Sequence, residues 1–268
     1  MNVDLHPWNT DFEWHMPSTA PQSLSAEQLA QFETDGFVVL QDVFDSQTLA
    51  PIVAEIDEFE AETERRLREL EDGRFAIAEA GAITFTTHLV TRSPTIRAFA
   101  RRPEFAALCR DLIGPAVRLY WDQAVYKKPE KPRRFPWHQD NGYAFVEPQQ
   151  YLTCWVALND ATVDNGCPQV ASGWHRKGTL RHRYVDPLGW ECFSEPPDVA
   201  VAEVRAGGVV VFSSLTPHLT GPNTTNATRK AYILQYAPDG ATRLDGNPHD
   251  GPPSTRTVQD DPDRQFLV

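Results

Sequence analysis

The chain has 268 residues, of which 41% are hydrophobic and 10% aromatic, and it carries a net charge of −12. A chain of this length can bury the core of one large domain, and no run approaches the ~20 apolar residues of a membrane-spanning helix. The negative charge argues against a nucleic-acid partner. The first residues lack the basic start and apolar stretch of a secretory signal.

The four cysteines favour a cytoplasmic location. Cys109, Cys154, Cys167 and Cys192 form no Cys-x-x-Cys pair and show no zinc-finger spacing. Cysteines in this pattern, in a chain without a secretory signal, predict free thiols in a reducing compartment.

Three amphipathic helices are predicted in the first half of the chain. The first follows Ser25 as its capping residue and ends at Gly36. The second begins at Ser46 and continues into residues 60–71, where alternating Arg and Glu predict a solvent-exposed face. The third fits residues 103–113, because a Gly-Pro pair follows them.

Short strands are predicted beside and after these helices. Runs rich in β-branched and aromatic residues occur at 37–40, 117–121, 151–158, 209–212 and 231–236. Helices first and strands later indicate a mainly β fold with flanking α-helices. We predict a double-stranded β-helix, the cupin-like jelly roll, because this core limits exposed edges and leaves a cavity between its sheets.

The chain is predicted to form one domain over residues 1–268, without an internal repeat or an interdomain linker. Its helical part covers about 24–114 and its jelly-roll core about 115–238. The segment 240–268 is rich in Pro, Asp and Gly, so we expect an irregular tail.

His138 and Asp140 form a His-x-Asp motif. Residues two apart in a strand project from the same face, so one imidazole nitrogen and one carboxylate oxygen can reach a single metal ion. A structural histidine beside a surface aspartate is the alternative interpretation of this short motif.

A second histidine follows the apolar strand at 209–212. His218 lies in the turn after this strand, which would place it at a strand end near the mouth of the core. The alternative is a capped surface histidine.

Arg229 follows His218 by eleven residues, at the start of the next apolar strand. A hairpin would return its guanidinium to the metal, where a two-pronged donor suits the far carboxylate of a dicarboxylic acid. The alternative is an ordinary arginine bonded to solvent.

Together these residues predict an iron centre. Two histidines and one carboxylate on one face of Fe(II) form the facial triad, which leaves three coordination sites open. A 2-oxo acid such as 2-oxoglutarate would fill two of these sites, and dioxygen the third.

The sequence also resembles the phytanoyl-CoA dioxygenase family. The resemblance rests on Pro-Trp-His-Gln-Asp at 136–140, on the segment 153–167, on Ser-Gly-Trp-His at 172–175, and on the strand and arginine that end at Arg229. It runs from about Leu29 to Tyr236, in the family's order and spacing. It implies an Fe(II)- and 2-oxoglutarate-dependent dioxygenase that hydroxylates a small molecule and releases succinate and CO2.

The resemblance also implies individual roles. His138, Asp140 and His218 would hold the iron, and Arg229 would anchor the C5 carboxylate of 2-oxoglutarate. Thr220 resembles the hydroxyl residue that assists this anchor. Trp155 would border the cosubstrate, with core packing as its alternative role. Lys128 or its neighbour Lys127 would reach the cosubstrate or an acidic substrate.

Two histidines outside the triad are weighed separately. The Ser-Gly-Trp-His segment departs from the family's usual Gly-Ser-His order, so we interpret His175 as structural. His88 is a candidate for the substrate pocket, with a structural role as its alternative. Retention of Asp140 argues for hydroxylation, desaturation or another oxidative outcome, since related halogenases replace this carboxylate by a small residue.

The prime substrate and the oligomeric state are left open by the sequence. The basic residues of 127–134 form either a solvated loop, which we favour, or an anion-binding patch that hints at an anionic substrate. The alternative function is a non-redox, cupin-like metal enzyme, an isomerase or hydrolase, although Arg229 has no obvious purpose there.

Overall fold

A computed structural model of the chain describes residues 3–18 and 20–268. The helices are α1 (Ala26–Asp35), α2 (Ser46–Arg68), α3 (Pro94–Phe99) and α4 (Pro103–Leu112). The strands are β1 (Phe37–Leu40), β2 (Arg74–Phe75), β3 (Ala78–Glu79), β4 (Ile83–Thr87), β5 (Val117–Lys127), β6 (Phe135–His138), β7 (Phe145–Glu147), β8 (Leu152–Ala157), β9 (Pro168–Ala171), β10 (Arg183–Val185), β11 (Gly189–Glu191), β12 (Val199–Val201), β13 (Val209–Ser213), β14 (His218–Thr220), β15 (Arg229–Pro238), β16 (Thr242–Asp245) and β17 (Thr255–Val258).

The helix ends follow from local hydrogen bonds. The Ser25 hydroxyl accepts from the Gln28 amide while the Gln28 side chain accepts from the Ser25 amide, which forms a capping box at the start of α1. Gly36 ends this helix in the left-handed conformation, with φ +81°. Asp45 caps α2 through the Thr48 amide. The three predicted helices are therefore confirmed, and α3 is an addition.

The core consists of two antiparallel sheets with a helical layer on one side. The larger sheet has the order β1-β13-β8-β15-β5-β4-β3-β2, and the smaller one β12-β9-β14-β6. The predicted jelly roll, mainly β with flanking helices, is confirmed. No helix in the described part of the chain is long and apolar enough to cross a bilayer.

Side chains of β15 alternate between two hydrophobic clusters on opposite faces of the larger sheet. Tyr232, Leu234 and Tyr236 are fully buried and belong to the cluster that packs against the helices. Ala231 belongs to a second cluster, which includes Val170 of the smaller sheet and therefore fills the space between the sheets. Because successive strand residues face opposite sides, the odd-numbered residues of β15, including Arg229, face the smaller sheet.

The C-terminal segment corrects a prediction. The sequence predicted an irregular tail over 240–268, but β16 pairs with β7 and with β17. Phe266 is 4% exposed, and the Arg97 guanidinium lies 4.3 Å from its ring centroid. The sequence did not indicate these strands because both are short and polar: β16 is held by β7, about a hundred positions away in the chain, and β17 is held by β16.

Candidate metal centre

Three side chains with metal-binding atoms meet between the two sheets. His138 ends β6, Asp140 follows two residues later, and His218 begins β14, where it pairs in register with His138. Oδ1 of Asp140 lies 3.7 Å from Nε2 of His138 and 3.9 Å from Nε2 of His218. All three ligand atoms lie within 4.8 Å of one another.

Backbone carbonyls orient both imidazole rings. Nδ1 of His138 lies 2.9 Å from the Pro136 carbonyl, and Nδ1 of His218 lies 3.0 Å from the Thr216 carbonyl. Because a carbonyl only accepts, each Nδ1 donates its proton there, which turns Nε2 toward the position of a metal. Burial, with the neighbouring His218, also holds the pKa of His138 well below its usual value, which keeps this ligand neutral.

The carboxylate is fixed on its other oxygen. The Thr153 hydroxyl donates to Oδ2 of Asp140 at 2.6 Å, so Oδ1 is the atom that faces the imidazoles. Two imidazoles and one carboxylate, converging from one side, fit the donor set of Fe(II) facial-triad sites. Outer hydrogen bonds of this kind are typical of metal centres, because they preset the ligand geometry.

Arg229 lies in the same small cavity as the three candidate metal ligands. The residue is fully buried, and its Nε and one terminal nitrogen have no hydrogen-bond partner among the described residues. Its guanidinium carbon lies 5.0 Å from the Trp155 ring centroid, and burial lowers its pKa. A buried cation with free donors is stabilised by an anion. The site therefore fits a dicarboxylic acid whose far carboxylate meets Arg229.

Of the other residues expected near the cosubstrate, Trp155 and Thr220 line the same cavity. Lys128 does not, because its ammonium pairs with Glu60 at 2.9 Å on the helix side of the sheet. Lys127 faces the interior instead and pairs in register with Arg229. Its ammonium donates to backbone carbonyls, at 2.9 Å for Thr220, and burial lowers its pKa well below the usual value.

The rest of the basic stretch is neutralised within the protein. Arg133 and Lys131 pair with Glu79 at 2.9 and 3.4 Å, and Arg134 pairs with Glu191 at 2.8 Å. Neither an anion-binding patch nor a wholly solvated loop describes this segment, since its cations are bound to carboxylates of other elements.

The two additional histidines lie elsewhere. The His175 ring is fully buried 4.4 Å from the Trp14 ring, and its Nε2 lies 3.2 Å from the Glu33 carbonyl, a packing role as predicted. The His88 ring packs on Trp121 at 4.4 Å. Trp121 lines the larger cavity described below, and His88 is not among the residues that line it.

A larger cavity of about 470 Å³ opens beside His138 and Asp140. Tyr143 forms part of its wall, together with the carboxamides of Gln123 and Gln235, which the sequence analysis missed. Thr153 was missed as well. Strand alternation could have placed these three residues on the inward face of the larger sheet. Gln123 shares that face of β5 with Trp121, Gln235 shares that of β15 with Arg229, and Thr153 shares that of β8 with Trp155.

Comparison with known proteins agrees with this geometry. The sequence model of the family described as phytanoyl-CoA dioxygenase matches residues 32–231. An ectoine dioxygenase of Bordetella bronchiseptica is 27% identical over 239 residues, which cover 80% of this chain and 75% of the relative. A methylphosphonate hydroxylase of Gimesia maris is 26% identical over 226 residues, covering 80% and 81%.

Solved structures share the fold. The epimerase SnoN, crystallised with Fe3+, alpha ketoglutarate and nogalamycin RO, superposes with a TM-score of 0.68 and 24% identity over 90% of this chain and 97% of its own. The predicted family, enzyme class and cofactors are confirmed: the chain belongs to the phytanoyl-CoA dioxygenase family and is an Fe(II)- and 2-oxoglutarate-dependent dioxygenase.

Proposed function

We propose that this chain hydroxylates a small molecule, with iron held by His138, Asp140 and His218 and with 2-oxoglutarate anchored by Arg229. The observation that carries the proposal is the fully buried Arg229, whose free donors open into the cavity of the three metal ligands. A cation in this state needs a partner anion, and the far carboxylate of the cosubstrate supplies one.

The protein contributes binding and orientation. Bound iron, with 2-oxoglutarate and dioxygen, supplies the oxidising power for hydroxylation, while the cosubstrate becomes succinate and CO2. Nε2 of His138, Nε2 of His218 and Oδ1 of Asp140 offer three donors from one side. Trp155 covers the face of the Arg229 guanidinium, and the apolar walls exclude water from the reacting groups.

The relatives favour hydroxylation over other oxidative outcomes. One of them is named for this reaction, as a methylphosphonate hydroxylase, and the other is named an ectoine dioxygenase. Asp140 is present as a ligand, so the site lacks the vacancy that halide binding would need. A related fold is also used by an epimerase, which makes product analysis part of the test.

A non-redox metal enzyme on this fold is the second candidate. It would use the same three ligands with zinc or manganese, and it would need no dicarboxylic acid. Arg229 argues against it, because a buried guanidinium without an anion destabilises the fold and serves no step of such a reaction.

Succinate formation tests the proposal. The anaerobically purified protein is given Fe(II), 2-oxoglutarate, ascorbate and air, first alone and then with a library of small molecules. We expect succinate that depends on iron and disappears in His138→Ala and Asp140→Ala, with a stimulated rate when a substrate is present. His15→Ala is the matched control, since His15 is exposed and lies outside the site.

The assay separates the candidates. Binding of both iron and 2-oxoglutarate, seen as a raised melting temperature, with succinate formed in at least one condition, supports the dioxygenase. Full activity of His138→Ala would refute the ligand assignment. Metal binding without any effect of 2-oxoglutarate on the melting temperature would favour the non-redox enzyme.

The proposal also covers the organisation of the chain. We treat residues 1–268 as one oxygenase domain, supported by β1 of the helical part, which pairs with β13 of the core. A cytoplasmic location is supported by the four cysteines, which are all free thiols in the structure.

A further inference from the structure

The wall of the larger cavity is apolar and rich in aromatic rings. Among its lining residues are Phe75, Phe85, Trp121 and Tyr143, together with aliphatic groups such as Ile77. Its volume of about 470 Å³ falls within the range of pockets that enclose a small molecule of several rings. Removal of apolar surface from water is therefore the main driving force that this cavity offers a ligand.

Free positive charge is scarce in this cavity. Among the described residues that line the cavity, Arg243 is the one charged side chain at neutral pH besides the metal ligands. Its guanidinium is about half exposed and pairs with Asp245 at 2.8 Å. The nearby Arg133 and Arg134 are committed to Glu79 and Glu191. An anionic ligand would lose its hydration here without gaining a partner cation.

Two carboxamides supply the polar contacts. Both carboxamides lie on the face of the larger sheet that is directed at the metal ligands. In the register of β5 against β15, Gln123 pairs with Ile233 and Gln235 pairs with Trp121. Nε2 of Gln235 lies 3.5 Å from the Thr153 hydroxyl, which in turn binds Asp140. A neutral amide offers both donors and acceptors, which suits a hydroxyl or carbonyl group.

One hairpin lies at the mouth of the cavity, and a second hairpin packs against it. The β2–β3 hairpin carries Phe75, which is 73% exposed although it lines the cavity. The β10–β11 hairpin meets it, since a Cβ added at Gly189 would lie 3.3 Å from Ile77 and 2.5 Å from the Tyr143 oxygen. An exposed ring at the mouth is free to cover the apolar face of a bound molecule.

From this chemistry we infer that the prime substrate is an uncharged molecule with a flat, apolar ring system and a hydroxyl or carbonyl group, covered at the mouth by Phe75. The inference rests on the proposed function, because it assigns the larger cavity to the substrate of the same centre. It excludes a carboxylate, phosphate or phosphonate as the group that enters the cavity.

Two probes with the same ring test the inference: 2-naphthol, which is uncharged at neutral pH, and the anion 2-naphthoate. Their dissociation constants are measured by equilibrium dialysis against the full chain, loaded without oxygen with Mn(II) and 2-oxoglutarate. We expect 2-naphthol to bind at least about tenfold more tightly than 2-naphthoate. Phe75→Ala should raise the dissociation constant of 2-naphthol about three- to tenfold. Leu70→Ala should leave it unchanged, since Leu70 is an exposed apolar residue outside the cavity.

The outcomes are distinct from those of the proposed function. A shift of the melting temperature by Mn(II) and 2-oxoglutarate is measured on the same sample, and its absence would count against the function itself. If this shift is present, tighter binding of 2-naphthoate, or failure of both probes to bind, overturns the substrate class alone. Equal 2-naphthol binding by Phe75→Ala and the parent protein overturns the role of Phe75.

Discussion

The Thr153 hydroxyl on β8 donates a hydrogen bond of 2.6 Å to Oδ2 of Asp140, which follows β6, and so joins the two sheets at the metal centre. The bond leaves Oδ1 directed at both imidazoles and fixes the carboxylate before any metal arrives. In the proposed metal centre, Thr153 would act through Asp140 as a positioning residue.

Thr153→Val should weaken metal binding about 10- to 100-fold, because loss of an outer hydrogen bond frees the carboxylate to rotate. The dissociation constant of Mn(II), measured by calorimetry on the protein without 2-oxoglutarate, reports this effect without turnover. Thr153→Ser keeps the hydroxyl and should restore most of the affinity. Unchanged Mn(II) affinity in the valine variant would show that Asp140 is held by other contacts.

Arg229→Met should separate cosubstrate binding from folding. Removal of a buried cation that lacks a full set of partners relieves a desolvation penalty, so we expect the ligand-free variant to melt at the same or a higher temperature. The same change should raise the dissociation constant of 2-oxoglutarate at least about 100-fold, through the loss of charge-assisted hydrogen bonds. Both quantities follow from thermal melting across a 2-oxoglutarate titration in the presence of Mn(II).

Arg205→Gln is the matched control, since Arg205 is exposed and pairs with Asp42 at the surface. Its 2-oxoglutarate affinity should equal that of the parent chain. If Arg229→Met binds 2-oxoglutarate normally, the anchor is another cation, and Lys127 becomes the first candidate because it is the neighbouring inward-facing cation.

The triad could be predicted because its short motifs occur in the order and spacing of a known family. His138 and Asp140 are two apart at the end of β6, and His218 follows an apolar strand. Each motif alone left a structural alternative open, and their combination with Arg229 and the family resemblance pointed to one metal centre. The choice between Lys127 and Lys128 could not be made in this way. It depends on the register of β5 against β15, which shifts at a bulge between Gln235 and Tyr236.

Contacts between elements that are distant in the sequence were also hidden. Strand alternation can place Thr153 on the inward face of β8, but its contact with Asp140 forms only when the two sheets stack, and no spacing in the sequence predicts that contact. The tail shows the same limit, because residues 242–245 carry no apolar alternation and become β16 only against β7. Pairing partners, rather than intrinsic propensity, decide such strands.

His175→Ala should destabilise the fold and leave the metal centre intact. The ring is fully buried against Trp14 and its Nε2 lies 3.2 Å from the Glu33 carbonyl, so truncation leaves a cavity and a lost hydrogen bond. We expect a loss of roughly 2–4 kcal/mol in the free energy of unfolding, measured by urea denaturation, with His15→Ala as control. A large change in Mn(II) affinity at a temperature where the variant is folded would contradict this structural role.

Asp122 should make the stability of the fold fall as the pH rises. Its carboxylate faces the helical layer, where it accepts hydrogen bonds from the Tyr232 hydroxyl at 3.0 Å and the Val90 amide at 3.2 Å. Burial outweighs these bonds and raises the pKa of Asp122 from 3.8 to about 6. Between these two values the folded state binds more protons than the unfolded state, so stability is lost as the pH increases through this range.

Asp122→Asn removes this titration while keeping an acceptor for both hydrogen bonds. The free energy of unfolding of the variant, relative to the parent, should therefore rise between about pH 4 and pH 7 by up to roughly 3 kcal/mol, which is the shift converted at 1.36 kcal/mol per pKa unit. Urea denaturation at a series of pH values measures the difference directly. Asp42→Asn, at an exposed aspartate, should give a curve parallel to that of the parent chain. A parallel curve for Asp122→Asn as well would mean that the buried carboxylate ionises as readily in the folded state as in the unfolded one.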